Sequence, residues 1–145
     1  IADHLLEVLH VARRHWQRAS LAMQRLALGA GAIYLHALQP SQYLAGSKRL
    51  TPREIEVAYR PEAEWPRLAR AGYPLLQRAG AELRARGVAF ADLSAIFRDV
   101  QQTLYVDDCC HLNRRGNRIL ARRLAELLAE ALAAASGVTA ERERK

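Results

Sequence analysis

Apolar residues recur at three- and four-residue steps through Leu5, Leu9, Ala12, Trp16, Ala19, Met23 and Leu26, while Arg13, Arg14, Gln17, Arg18 and Arg25 fall largely between them. That period marks one face of a helix, so residues 3–28 are predicted as a single long amphipathic helix. Gly29 and Gly31 end it, and the pattern then changes. The run AIYLHALQ, residues 32–39, is rich in strand formers and carries little alternation, the pattern of a strand buried on both faces in a parallel sheet. PSQYLAGSKRLTPRE follows, with Pro40, Gly46 and Pro52 punctuating a long excursion before helical character resumes near Arg53. A loop of that length is expected either to carry function or to contain an element the pattern does not announce.

Residues 61–86 are again helical in pattern, with Pro66 and Pro74 marking a start or a kink and Gly87 a stop. VAFADLS, residues 88–94, predicts a second buried strand, and the chain to Gln102 is irregular. Leu120, Leu124, Leu127, Leu128, Ala131 and Leu132 then form the apolar stripe of a closing helix, with Arg115, Arg118 and Arg122 largely outside it. Asn113 suits its N-cap, since its side chain accepts from orphan backbone N–H groups. The end of the chain, SGVTAERERK, is expected to be a disordered tail at 136–145. Helix, strand, long helical segment, strand, helix implies an α/β domain with parallel strands joined by right-handed crossovers. Only two strands are evident, fewer than a parallel sheet covered on both faces normally needs, so part of the sheet is expected to lie outside this chain.

At 145 residues the chain is one domain's worth, enough to bury about 68–70% of the surface exposed when unfolded. Half of it is hydrophobic and 26% is charged, which excludes a disordered class. No apolar run has the length of a transmembrane helix. The sequence opens on Ile1 without a signal-like leader, the start expected of a processed or incomplete chain, and the compartment is not legible from it. The net charge of +7 is carried almost wholly by arginine, with Lys48 and Lys145 the only lysines. Its spread over every helix is that of a compositional bias, not of a concentrated basic face, so no nucleic-acid partner is expected; a binder using Arg114, Arg115, Arg118, Arg122 and Arg123 is the weaker reading.

Chemistry concentrates in YVDDCCHLNRRGNRIL, residues 105–120, which places two acids, two cysteines and a histidine immediately before the closing helix. Asp108 and His111 lie three apart, so a tight turn can put carboxylate and imidazole on one side. The acid would then accept from Nδ1, fix the tautomer and leave Nε2 to take a proton from a hydroxyl nucleophile. Asp107 is the second candidate for that acid, and capping or solvated-turn roles are the bland reading of both. Cys109, Cys110 and His111 are too few and too close for a structural zinc site, so neither metal nor cofactor is expected. A bridge between adjacent cysteines is strained, and packing or pairing with an absent segment is the expectation for the two thiols. His4, His10 and His15 are spread around one helix, and His36 is expected to be a satisfied core or edge histidine. Asn113 and Gly116 are read as structural, and Trp16, Trp65, Tyr59 and Tyr73 as core or lid packing. Gln39, Ser41, Gln42 and Lys48 stand at a strand's C-terminal end, where open α/β sheets bind ligands, and are candidates for lining a cleft.

D-x-x-H-L-N-x-x-G-N-x-x-L-A, residues 108–121, resembles the last block of the SGNH, or GDSL-type, hydrolases. IYLHALQPSQYLAGSKRLTPRE and AGYPLLQRAGAELRARGVAFADLS are similar to the fourth strand with its loop, and to the penultimate helix and fifth strand, of a bacterial subgroup of that family. The resemblance spans residues 21–131. It implies the C-terminal part of a three-layer α/β/α flavodoxin-like fold, with residues 1–135 the C-terminal portion of one SGNH-like domain and Asp108 and His111 as members of a catalytic triad. The implied activity is ester or acyl hydrolysis of a small-molecule ester or acylated substrate. The family's Gly-Asp-Ser nucleophile motif and Gly-x-Asn-Asp block are absent; none of Ser20, Ser41, Ser47, Ser94 or Ser136 follows Gly-Asp, and Ser47 reads as a surface-turn residue. The implied partner is therefore a missing N-terminal half of the same domain, and this chain alone is expected to be inactive. A non-catalytic remnant or interaction module of the same fold is the alternative.

Overall fold

The computed structural model describes the backbone of residues 2–142 and the side chains of residues 4–134. It is a mixed α/β chain of four helices and a short parallel sheet, in the order α1 (Ala2–Gly29), β1 (Leu35–Leu38), α2 (Pro52–Ala58), α3 (Glu64–Ala85), β2 (Ala89–Asp92) and α4 (Arg114–Arg142). The first helix follows the apolar period almost to the residue. The strands are shorter than the apolar runs that announce them, because ladder bonding begins at Leu35 and Ala89. Beyond Ser136, where a disordered tail is expected, α4 continues to Arg142, consistent with the run of strong helix formers that precedes it.

The strands pair in parallel with Leu35 opposite Ala89 and Leu38 opposite Asp92. Side chains alternate across this register, so His36 and Phe90 share one face while Leu35, Ala89 and Ala91 share the other. The first face receives α3 and α1. Phe90 meets the Trp16 ring edge-on at 6.0 Å between centroids, and His36 lies 4.4 Å from the same indole. Gly80 of α3 is fully enclosed there, and a Cβ at that position would overlap the ring of Phe90. Toward the other face, Leu35, Ala89 and Ala91 line a cleft with Leu127 and Ala131 of α4. Among the described residues each strand has a ladder partner on one edge only.

Two apolar clusters divide the interior. Leu38, Tyr43, Ala69, Tyr73, Leu83, Val88 and Phe90 form the one beneath α1 and α3. Ala58, Phe97, Leu104 and Tyr105 form a second, with Ile96, Val100, Leu112 and Ile119 packed on it. This second cluster is the floor of the turn between β2 and α4. Trp16, Tyr59 and Tyr73 pack as expected, whereas Trp65 is half exposed because it lies on the outward side of the first turn of α3. No described helix is long and apolar enough to cross a membrane.

Candidate active site

Residues 105–113 leave the second cluster, turn outside it and return. Tyr105 and Leu112 form an isolated antiparallel bridge, the Val106 amide donates to the His111 carbonyl at 3.0 Å, and the Asn113 amide donates to the Leu104 carbonyl at 2.7 Å. The bridge closes a small loop whose tip is Asp107, Asp108, Cys109 and Cys110. Cys110 reverses the chain with φ of +92°, the one non-glycine residue at positive φ among the described residues. Asn113 then caps α4, its Oδ1 accepting from the amides of Arg115 and Gly116 at 3.0 Å each. Gly116 permits the close approach of that first turn, since a Cβ there would come within 3.0 Å of the Leu112 Cβ.

The carboxylate at the imidazole is that of Asp107, not of Asp108. Asp107 Oδ2 lies 2.6 Å from His111 Nδ1, while Oδ1 accepts from the amides of Cys109 at 3.0 Å and His111 at 3.2 Å. The correction has a geometric cause. A tight turn aligns residues three apart, with two residues between them, but the Tyr105–Leu112 bridge sets 106 opposite 111, with four between. Position 107 thereby faces the imidazole, and position 108 is carried past it. Among the described residues the side chain of Asp108 has no hydrogen-bond partner; its carbonyl accepts from Tyr43 Oη at 2.9 Å, and it borders a shallow hollow with Tyr59, Arg60 and Glu62.

Burial alone would raise the Asp107 carboxyl, but the hydrogen bonds from His111 Nδ1 and from the two amides outweigh it and hold the group below the usual carboxylate value. An ionised carboxylate only accepts, so Nδ1 carries the proton of this contact. Nε2 has no hydrogen-bond partner among the described residues, on a side chain that is 70% exposed. The contact at Nδ1 fixes the orientation of the ring.

The loop after β1 supports this turn from below instead of lining a cleft. Ser41, Gln42 and Lys48, candidate cleft residues by sequence, are buried, and so is Ser47. Gln42 Nε2 donates to the carbonyls of Ala58 at 3.1 Å and Asp107 at 3.0 Å. Ser47 Oγ donates to the Ser41 carbonyl at 2.7 Å, which excludes the surface-turn reading of Ser47. Gln39 is the exposed member of the set, and its Nε2 donates to Cys110 Sγ at 3.5 Å.

The anchor of the turn is Glu54, which sequence reasoning passes over. Its side chain and that of Lys48 are both fully buried, 2.9 Å apart. Oε2 also accepts from the Thr51 amide at 2.8 Å, and Oε1 from the amides of Leu104 at 2.8 Å and Tyr105 at 3.1 Å. Desolvation pushes this carboxyl up, but the backbone donors Thr51, Leu104 and Tyr105 with the Lys48 ammonium overcome that and keep it low. The readable signal is T-P-R-E: Thr51 and Glu54 form a capping box with Pro52 in the first turn of α2.

The remaining serines and histidines lie elsewhere. Ser20, fully buried, hydrogen-bonds His36 Nδ1 at 2.7 Å and Tyr34 Oη at 3.3 Å, which makes His36 an internally satisfied histidine. Ser94 is buried and accepts from Gln77. None of these serines reaches His111, and Ser136 lies outside the described side chains. Among the described residues no group of three or more His, Cys, Asp or Glu is placed to hold a metal ion. No protein-family model, curated protein or solved structure matches the chain.

Proposed function

We propose that this chain is the part of an SGNH-type serine esterase or acyl hydrolase that supplies the acid and the base, within a three-layer flavodoxin-like sheet whose other strands bring the nucleophile and oxyanion donors. The observation that carries the reading is the short Asp107–His111 hydrogen bond with Nε2 left open. Two further features support it. Among the described residues both strands have an unpaired outer edge, and α1 exposes Leu6, Val8, Met23, Leu26 and Leu28, the surface expected of a sheet and helix layer meant to be extended.

The chemistry is acyl transfer. A serine hydroxyl from the complementary half donates to Nε2, passes its proton there as its oxygen attacks the ester carbonyl, and Asp107 stabilises the resulting imidazolium. The imidazolium returns the proton to the departing alkoxide, and a water repeats the cycle on the acyl-enzyme. A small-molecule ester or acylated compound is the substrate class.

The test is p-nitrophenyl ester hydrolysis by the full-length protein. His111→Ala is expected to lower kcat by about 10²–10⁴, Asp107→Asn to follow it, and Asp108→Asn to leave the rate near wild type. An unchanged rate in His111→Ala refutes the reading. Loss on Asp108→Asn with Asp107→Asn active assigns the acid to the i to i+3 partner that the D-x-x-H block implies. A non-catalytic module of the same fold is favoured by one observation, that no described serine reaches the imidazole; absence of any esterase activity in the full-length protein would establish it.

A further inference from the structure

Cys109 and Cys110 are the only cysteines of the chain, both are free, and they occupy the tip of the turn that carries Asp107 and His111. Cys109 is exposed, so an attacking thiolate meets no steric barrier there. Cys110 is half-buried, with its Sγ held by Gln39 Nε2 at 3.5 Å and its backbone in the left-handed region at φ +92°. The exposure of Cys109 makes it the entry point and leaves the half-buried Cys110 as the resolving group; burial and the neighbouring Cys109 thiol push the Cys110 thiol up. The two thiols alone provide no metal-ligand set among the described residues. Redox chemistry is what two adjacent thiols can perform by themselves.

We propose that Cys109 and Cys110 form a redox-active vicinal dithiol that closes reversibly to an eight-membered disulfide ring, with a low-molecular-weight disulfide such as oxidised glutathione as the oxidant. The Cys109 thiolate attacks one sulfur of the oxidant, forming a mixed disulfide and releasing one thiol. The Cys110 thiolate then attacks Cys109 Sγ, expels the second thiol and closes the ring. Two protein S–H bonds are lost and two small-molecule thiols are formed, so protons and electrons balance. Adjacent Cα atoms are about 3.8 Å apart, short of the usual disulfide span. The bridge is therefore strained and readily reduced, the property of a switch and not of a permanent crosslink.

Closure acts on the neighbouring imidazole. Cys110 Sγ, held by Gln39, is drawn into the ring, and the Cys109 amide that donates to Asp107 Oδ1 is bonded to a ring atom, Cys109 Cα, whose torsions change on closure. The inference does not rest on the hydrolase reading, because the Asp107–His111 contact is present whatever reaction it serves.

The test treats the folded protein with oxidised glutathione and follows intact mass, free thiols and the ¹⁵N resonances of His111. The expected result is a monomer lighter by about 2 Da with no retained glutathione and no free thiol, a shifted His111 signal, and reversal of all three by dithiothreitol. Cys110→Ser should arrest at a stable glutathione adduct on Cys109. A mixed disulfide that persists on the unaltered protein, a disulfide-linked dimer, or thiols that react only in denaturant overturns the proposal. A ring that forms without moving the His111 resonance overturns its coupling to the turn.

Discussion

Glu54→Gln removes charge while keeping volume, and the structure specifies what is lost. Oε1 of glutamine can still accept from the amides of Leu104 and Tyr105, but its NH₂ would face the Thr51 amide and the Lys48 ammonium, donor against donor. Two hydrogen bonds to a charged acceptor disappear, each contributing about 1.5–3 kcal/mol. Lys48 is then left buried and unpaired, and removing one partner of a buried pair costs about 3–5 kcal/mol. The two routes describe the same loss and agree on about 3–5 kcal/mol, a large share of a domain's total stability. The assay is urea unfolding followed by circular dichroism. Lys48→Met combined with Glu54→Gln should recover part of the loss, because the unpaired ammonium is gone; this separates the cost of a stranded charge from that of a lost contact. A Glu54→Gln penalty below about 1 kcal/mol, the size of an exposed ion pair, would refute the claim that this carboxylate anchors the turn.

Two other perturbations probe the frame around the site. Gly80→Ala, which in an exposed helix would stabilise by about 1 kcal/mol, should here destabilise by about 1–3 kcal/mol because its Cβ would overlap the Phe90 ring; a raised melting temperature contradicts that packing. Acidification should weaken the fold in two steps, since burial lowers His36 from 6.5 and hydrogen bonds lower Glu54 from 4.5 and Asp107 from 3.8. In each case the unfolded chain binds the proton more readily, so the stability is fully present above the unfolded value and is lost as pH falls toward the folded one. The urea midpoint should be flat from about pH 6.5 to about pH 8, fall gently below that range and fall more steeply below about 4.5; a midpoint that rises on acidification from neutrality would contradict the sign.

The elements were legible where one face is buried and the period is long. The stripe from Leu5 to Leu26 and the runs around Leu35–Leu38 and Ala89–Asp92 locate α1, β1 and β2 within a few residues. The Asn113 cap was legible too, and so was a carboxylate contact at the His111 imidazole. The identity of its acid was not, because it depends on loop length, and loop length depends on the Tyr105–Leu112 bridge and the left-handed turn at Cys110. Neither has a signature in five letters containing no glycine. The buried Lys48–Glu54 pair was missed for a different reason: charged residues are rarely buried unless paired, and pairing across six positions of irregular chain leaves no periodic trace. Thr51 and Glu54 did carry a readable capping pattern, but it announces a helix start and not a hub for amides some fifty residues away.

The division of labour within the turn follows from where charge is buried. Below, the Glu54 carboxylate is fully enclosed and holds the amides of Leu104 and Tyr105, so the base of the loop is fixed by interactions that cost several kcal/mol to break. One layer out, Gln42 and Tyr43 hold the carbonyls of Asp107 and Asp108, orienting the backbone without touching either carboxylate. At the rim, the Asp107–His111 pair is largely exposed and contributes little to folding, since exposed ion pairs are weak. A contact that adds so little stability yet is made by two side chains, two amides and a reversed backbone is organised for the orientation of the ring. Under the proposed function, that asymmetry, rigid base and open tip, would let a second segment of protein approach Nε2 without disturbing the anchor. It also leaves the vicinal thiols as the part of the loop most free to change state.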